Sequence, residues 1–96
     1  MSLTMLNEKD PDVLKALYAY RSKVFRKGPL GVKEKELIAL SISSVLKCEK
    51  CLEYHVEAAR RAGATGGEIL DALEVAMYMT GPSAMIWTDY IDEAVE

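Results

Sequence analysis

Apolar residues in this chain of 96 residues recur at spacings of three and four, and no segment alternates apolar and polar residues as a half-buried strand does. Positions three or four apart lie on one face of an α-helix, so this spacing predicts amphipathic helices. Glycine, proline and capping residues divide the pattern into separate runs. We therefore expect an all-α fold, a single-domain helical bundle of about five helices over residues 1–96.

Capping signals set the expected helix ends. The predicted bounds are about 10–27, 33–46, 48–62, 65–80 and 82–95. Asp10 and Pro11 suit the start of the first helix, and Thr65 and Glu68 form a capping-box pattern at the start of the fourth. The second helix is apolar around most of its circumference, so we expect it to be the central, buried helix. Arg21 falls on the apolar stripe of the first helix, where a long side chain is expected to reach past the stripe to water. The alternative is that it pairs with an acid inside an oligomer.

The charge balance bears on partners and location. Lys and Arg number 12 and Asp and Glu 15, which gives a net charge of −3. With no basic excess to neutralise phosphates, we expect no nucleic-acid partner and no membrane partner. The segment Met1–Glu8 lacks the basic and apolar regions of a secretory signal, and no apolar run is long enough to span a bilayer. We expect a cytoplasmic protein.

The chain's two cysteines lie close together and next to its one histidine. In Cys48-Glu49-Lys50-Cys51 and His55, the separations of three and four place all three side chains on one face of a helix. Cys51 and His55 are one turn apart, whereas Cys48 is two turns from His55, about 10 Å along the axis. A helix N-terminus favours thiolate, and an imidazole can accept a thiol proton. This spacing predicts a dithiol redox centre in which His55 serves Cys51.

Zinc binding is an alternative function of the same side chains, because cysteine and histidine are the usual zinc ligands. The chain has no further Cys or His to complete a structural site. A fourth ligand would have to be Glu, water or a group from a second subunit. We expect no bound metal and no cofactor.

Glu36 is a candidate partner for His55. If the second and third helices form an antiparallel hairpin that turns near Lys47, His55 lies about one helical turn from Glu36. A carboxylate there would orient the imidazole and fix its tautomer. The alternative is a solvated acid that suits the positive end of the second helix.

Glu36, eleven further residues and then Cys48-x-x-Cys51-x-x-x-His55 resemble the motif of the AhpD-like alkylhydroperoxidases, which belong to the carboxymuconolactone decarboxylase family. Residues 36–43 and the helix that runs into Gly63 are also similar to that family. The resemblance covers about residues 10–90. It implies a thiol-dependent hydroperoxidase or disulfide reductase, that is, an antioxidant enzyme with a redox-active disulfide.

The same resemblance implies roles and partners. Cys51 is the thiol that attacks peroxide, Cys48 resolves it, His55 is the base and Glu36 orients it. The substrate is a small hydroperoxide or disulfide, and a dithiol or a lipoylated adaptor reduces the oxidised pair. The family is usually homo-oligomeric, which implies a trimer or hexamer. Exposed apolar and methionine residues left over from so small a core also predict self-association.

Two features of the chain depart from the family pattern. Some peroxidase members carry a further histidine between the cysteines, where this chain has Glu49-Lys50. Those members are also longer, so part of a substrate pocket would come from a neighbouring subunit or be absent. Two alternatives stay open: a redox-sensing or zinc-binding oligomer without turnover, and a lactone decarboxylase of the same family.

Overall fold

The fold is all-α, as the apolar spacing predicts. In the computed structural model, residues 2–96 contain six α-helices and two 3₁₀ turns and no β-strand. The helices are α1 (Leu3–Lys9), α2 (Pro11–Phe25), α3 (Val32–Leu46), α4 (Glu49–Arg61), α5 (Gly66–Thr80) and α6 (Asp92–Val95), and the 3₁₀ turns are Pro82–Ala84 and Asp89–Ile91. Met1 lies outside the described residues. It is the first residue of the expected domain and of the N-terminal segment that lacks a secretory signal pattern.

The core lies between α3, α4, α5 and the C-terminal segment. Its buried residues are Leu40, Leu52, Val56, Ala59, Ala64, Ile69, Leu73 and Ile91. Leu40, Leu52 and Ile69, one each from α3, α4 and α5, are completely buried. Burial of a leucine or isoleucine side chain contributes roughly 1.5–3 kcal/mol, so these helices hold one another together.

The connection between α3 and α4 forms the expected hairpin turn at Lys47. Lys47 adopts a left-handed conformation, with φ 56° and ψ 38°, and its N–H donates to the Ser44 carbonyl. The N–H of Cys48 donates to the Ser43 carbonyl, at 3.1 Å. These bonds end α3 and reverse the chain within two residues, so that α4 runs back along α3 toward Glu36.

The connection between α4 and α5 follows the sequence signals. Gly63 has a φ of 97°, a left-handed conformation that favours glycine. At the start of α5, the Thr65 hydroxyl accepts from the N–H of Glu68 at 3.1 Å, and the Glu68 carboxylate accepts from the N–H of Thr65 at 2.9 Å. The predicted capping box is therefore confirmed.

Two features of the helix pattern differ from the prediction. The first is α1, where the Ser2 hydroxyl caps a short helix with no buried residue along its described length. The second is the C-terminal segment, which does not form one continuous helix. The Trp87 indole N–H donates to the Ser44 carbonyl at 3.1 Å, and the Thr88 hydroxyl donates to the Met85 carbonyl. These bonds to α3 and to the local backbone take precedence over the helical spacing.

The α3 helix is central, as expected, since it packs against α4, α5 and α2, but it is buried on one side only, so the expectation that it is buried is wrong. Leu40 is inaccessible, but Ile38 and Ile42 are 48% and 53% exposed. Helices α1 and α2 also pack sparsely, and among the described residues of α2 only Leu14 is buried. The radius of gyration is 14.5 Å, above the roughly 12–13 Å of a compact domain of this length. Within residues 2–96, no helix is long and apolar enough to cross a membrane.

Candidate active site

The two cysteines lie at the N-terminus of α4. A disulfide joins Cys48 to Cys51, whose Cα atoms are 5.2 Å apart. Cys48 is the N-cap residue, and its sulfur accepts from the N–H of Cys51 at 3.3 Å. Cys51 is exposed and Cys48 half-buried. Because the N-terminus of a helix carries partial positive charge, a thiolate is stabilised at this position when the pair is reduced.

The Glu36 carboxylate and the His55 imidazole form a hydrogen bond. Glu36 Oε2 lies 2.7 Å from His55 Nδ1, across the interface of α3 and α4. The Glu36 side chain is 5% exposed and that of His55 is 17% exposed, so Glu36 is not the solvated acid of the alternative interpretation. An ionised carboxylate accepts from Nδ1–H, which leaves the lone pair on Nε2 free to accept a proton.

Aromatic rings on two sides fix the imidazole. The Phe25 ring, at the end of α2, stacks on it with a centroid distance of 5.5 Å and an interplanar angle of 19°. Tyr54 contacts it edge-on, at 5.1 Å and 80°. Phe25 is a site residue that the sequence did not predict. The spacing of Phe25 from Arg21, one helical turn on one face, was the available signal, but it does not say which helix that face contacts.

The Arg21 side chain does not extend freely to water. Its guanidinium carbon lies 4.2 Å from the centroid of Tyr54 and 5.5 Å from that of Phe25, within the range of cation–π attraction. Arg21 is half-buried. The same two rings that enclose His55 therefore also hold an arginine.

The surface of α4 separates this site from acidic residues. Successive residues of a helix are about 100° apart, so Cys51, Tyr54 and His55 share one face while Glu49 and Glu53 lie toward the opposite one. Tyr90 lies on that acidic side, where its hydroxyl donates to the Glu49 carbonyl at 3.2 Å. Burial, together with the charges of Glu49 and Glu53, raises the pKa of Tyr90 above its ordinary value of 10.0.

Across residues 2–96, no group of three or more His, Cys, Asp and Glu side chains is arranged to hold a metal ion.

The sequence has relatives in known families. The sequence profile of the carboxymuconolactone decarboxylase family matches residues 11–89. A protein of Paracoccus denitrificans, described as uncharacterized protein 4 in the cox locus, is 41% identical over 69 residues. That match includes 72% of this chain but 62% of the other protein, so the chain spans about three fifths of that relative.

Solved structures of the same family have a similar fold. A carboxymuconolactone decarboxylase family protein of Legionella pneumophila superposes with a TM-score of 0.87 at 26% identity, over 97% of this chain and 83% of that one. A family protein of Thermotoga maritima, described with a suggested part in an antioxidative response, superposes with a TM-score of 0.77 at 32% identity, over 86% of each chain.

Proposed function

Because this chain belongs to the carboxymuconolactone decarboxylase family, we propose that it is a dithiol oxidoreductase that reduces small hydroperoxides or disulfides. The observation that carries the proposal is the hydrogen bond between buried Glu36 and His55, one helical turn from a cysteine pair at a helix N-terminus. A buried carboxylate that holds a histidine next to a thiol is the arrangement of an activated nucleophile.

In the first step, His55 Nε2 accepts the proton of the Cys51 thiol, and the thiolate attacks the terminal oxygen of the hydroperoxide. The O–O bond breaks, and the alkoxide leaves with the proton that the imidazole returns. Cys51 is oxidised by two electrons to a sulfenic acid, and the hydroperoxide is reduced to an alcohol. Glu36 keeps Nδ1 protonated throughout, so that Nε2 is the nitrogen that exchanges the proton.

In the second step, the Cys48 sulfur attacks the sulfenic sulfur of Cys51. The S–S bond forms, and water leaves. A dithiol, such as a lipoylated adaptor, then reduces the disulfide by thiol–disulfide exchange and is itself oxidised. A disulfide substrate would exchange with Cys51 in the same way. A reducing, cytoplasmic location suits such a centre, because the pair must return to the thiol form.

Labelling of the single-cysteine variants with dimedone tests these roles. After one equivalent of hydroperoxide, Cys48→Ser should retain a sulfenic acid on Cys51 that dimedone traps, whereas Cys51→Ser should not react in the first step. Label on Cys48 in Cys51→Ser, with none on Cys51 in Cys48→Ser, would reverse the assignment. Mass spectrometry of the labelled peptide locates the adduct.

Two measurements on the unchanged protein separate turnover from the other uses of the same side chains. Thiol titration before and after one equivalent of hydroperoxide should show the loss of both thiols in one chain. Elemental analysis of protein purified without chelator reports zinc directly. One zinc per chain with thiols that resist peroxide would favour the metal-binding alternative over the enzyme.

We also propose that the chain assembles with copies of itself, as a trimer or hexamer. The support is an exposed apolar surface that runs over α3 and α5. Its main residues are Ile38, Ile42, Val45, Val75 and Met79, each at least 39% exposed. Apolar surface of this kind on a small protein marks an interface. Light scattering at micromolar concentration should give several times the mass of one chain, and the mass of a single chain would contradict the proposal.

A further inference from the structure

The guanidinium of Arg21 contacts aromatic rings but no acceptor. Its carbon lies 4.2 Å from the centroid of the Tyr54 ring and 5.5 Å from that of Phe25. In the part of the chain that the structure describes, Arg21 makes no ion pair, and its N–H groups donate no hydrogen bond. The ring contacts hold the side chain in place and leave its N–H donors without a protein acceptor.

An arginine in this state is suited to a planar anion. Its fork of N–H groups matches a carboxylate in two parallel hydrogen bonds, which are stronger than neutral ones. Because the stacked side chain is already ordered, little further entropy is lost on binding. Half-burial strengthens the attraction relative to a fully hydrated surface charge.

The position of Arg21 relates it to the reactive thiol. It lies over Tyr54, which is one turn from Cys51 on the same face of α4. Of the acids of α4, Glu49 and Glu53 lie toward the opposite face and Glu57 pairs with Arg61, while Glu36 is already paired with His55. Among the described residues, this face therefore presents two cations without an ion pair, Arg21 over Tyr54 and the exposed Lys50 directly before Cys51, and Arg21 is the one held by aromatic rings.

We propose that Arg21 is a specificity-determining residue that binds the carboxylate of the substrate, so that the site prefers organic hydroperoxides that carry a carboxylate. The substrate class rests on the proposed function, whereas the binding of a carboxylate by Arg21 does not. The two are therefore tested by different measurements.

Binding is tested on the oxidised protein with benzoate and with benzamide, its neutral counterpart. The chain has one histidine, so the ring protons of His55 give a single set of NMR signals. Phe25 and Tyr54 contact both Arg21 and His55, which places the reporter beside the site. At fixed pH, in buffer without other carboxylates or phosphate, benzoate should bind about tenfold more tightly than benzamide.

The variants separate a binding role from a structural one. Arg21→Gln should lose the preference for benzoate and leave the affinity for benzamide unchanged. Lys23→Gln removes the same charge from the opposite side of α2 and should keep the preference. Arg21→Met, which retains packing on the rings, replaces Arg21→Gln if that variant fails to fold. Equal affinities of the unchanged protein for benzoate and benzamide would overturn the proposal. So would a loss of the benzoate preference in Lys23→Gln as large as that in Arg21→Gln.

Kinetics then test the substrate class with a fatty-acid hydroperoxide and its methyl ester. The free acid should have a kcat/KM about tenfold higher than the ester, through a lower KM, and Arg21→Gln should equalise the two. If neither compound oxidises Cys51, the proposed peroxidase activity is rejected and the benzoate result is unaffected. Equal rates with both compounds in the unchanged protein would instead reject the carboxylate preference and leave the peroxidase intact.

Discussion

The two connections that flank α4 solve the same folding problem with different residues. Each leaves a helix through a left-handed residue and begins the next helix with a capping side chain, Lys47 and Cys48 before α4, Gly63 and Thr65 before α5. The second connection uses the residues that this geometry favours. The first uses a lysine where glycine is favoured and a cysteine where serine or threonine is favoured.

The two cysteines of the first connection occupy the same helix positions as the two capping residues of the second. Cys48 and Cys51 occupy the N-cap and third positions of α4, which Thr65 and Glu68 occupy in α5. The threonine and glutamate exchange two hydrogen bonds, whereas in the described structure the cysteines make one, from the N–H of Cys51 to the Cys48 sulfur. A C-x-x-C pair here thus replaces a capping box. The comparison indicates that the site gives up local stability for thiol chemistry.

The largest expected effect is on reactivity at the first connection. His55→Ala should slow the reaction of Cys51 with hydroperoxide roughly 100-fold or more at neutral pH, because the general base is lost. The rate should partly recover at higher pH as the thiol ionises unaided. Glu36→Gln should act in the same direction but more weakly, because it acts through the imidazole. Stopped-flow rates against pH measure both.

Glu53→Gln is the matched control, since it removes an acid from the opposite face of α4. Its rate should equal that of the unchanged protein. A larger loss in Glu36→Gln than in His55→Ala would contradict the order of roles.

The second effect is on stability at the capping box. Thr65→Ala should lower the free energy of unfolding by about 1 kcal/mol, because it removes the side-chain acceptor for the N–H of Glu68. Urea denaturation measures the change. Thr4→Ala, at an exposed position in α1, should stay within about 0.5 kcal/mol of the unchanged protein. Equal changes in the two variants would mean that the box adds nothing to stability.

A smaller effect of opposite sign is expected at the first connection. In the presence of reductant, Cys48→Ser should raise the free energy of unfolding by about 0.5 kcal/mol, because serine is a better N-cap than cysteine. The same substitution removes the resolving thiol. Cys51→Ser, at the third helical position, should lack the gain. Urea titrations of the reduced proteins measure the change. If Cys48→Ser is less stable than the unchanged protein, the cysteine at the N-cap does not lower the stability of the site.

The smallest effect concerns pH at the second connection. Lys33 Nζ lies 2.8 Å from the Glu68 carboxylate, and this hydrogen bond, together with the N–H of Thr65, holds the pKa of Glu68 below its ordinary value of 4.5. The resulting stabilisation is present above pH 4.5 and is lost as pH falls through the lowered pKa. Lys33→Met should therefore lose less stability than the unchanged protein when the pH is lowered from 6 to 3, measured as urea midpoints. If the midpoints of both proteins fall equally with pH, the Lys33–Glu68 pair does not contribute to the pH dependence.

Sequence alone predicted the features that depend on neighbours along the chain. The start of α5 follows from Thr65 and Glu68, and the end of α4 follows from Gly63, because caps act within a few residues. The spacing of Cys51 and His55 needs only a helix. The contact between Glu36 and His55 needed one further assumption, the hairpin turn at Lys47, which the structure contains.

Features that depend on packing between distant segments were not predicted. The positions of Phe25 and Arg21 against α4 follow from how α2 lies on the bundle, which helical spacing does not specify. The spacing of the C-terminal segment predicts one helix, because it does not show that Trp87 bonds to Ser44. The apolar residues Ile38 and Ile42 of α3 were expected to be buried, because an apolar side chain has the same sequence signal whether it packs inside a chain or lies on its surface.

The bond from Trp87 to Ser44 makes the cysteine turn accessible to fluorescence. Trp87 is the chain's one tryptophan, and its indole N–H reaches a carbonyl four residues before Cys48. If that turn shifts when the disulfide forms or is reduced, the surroundings of the Trp87 indole change. The native protein thus carries its own optical probe, and indole emission can follow a single turnover of oxidation and reduction in a stopped-flow instrument without an attached dye.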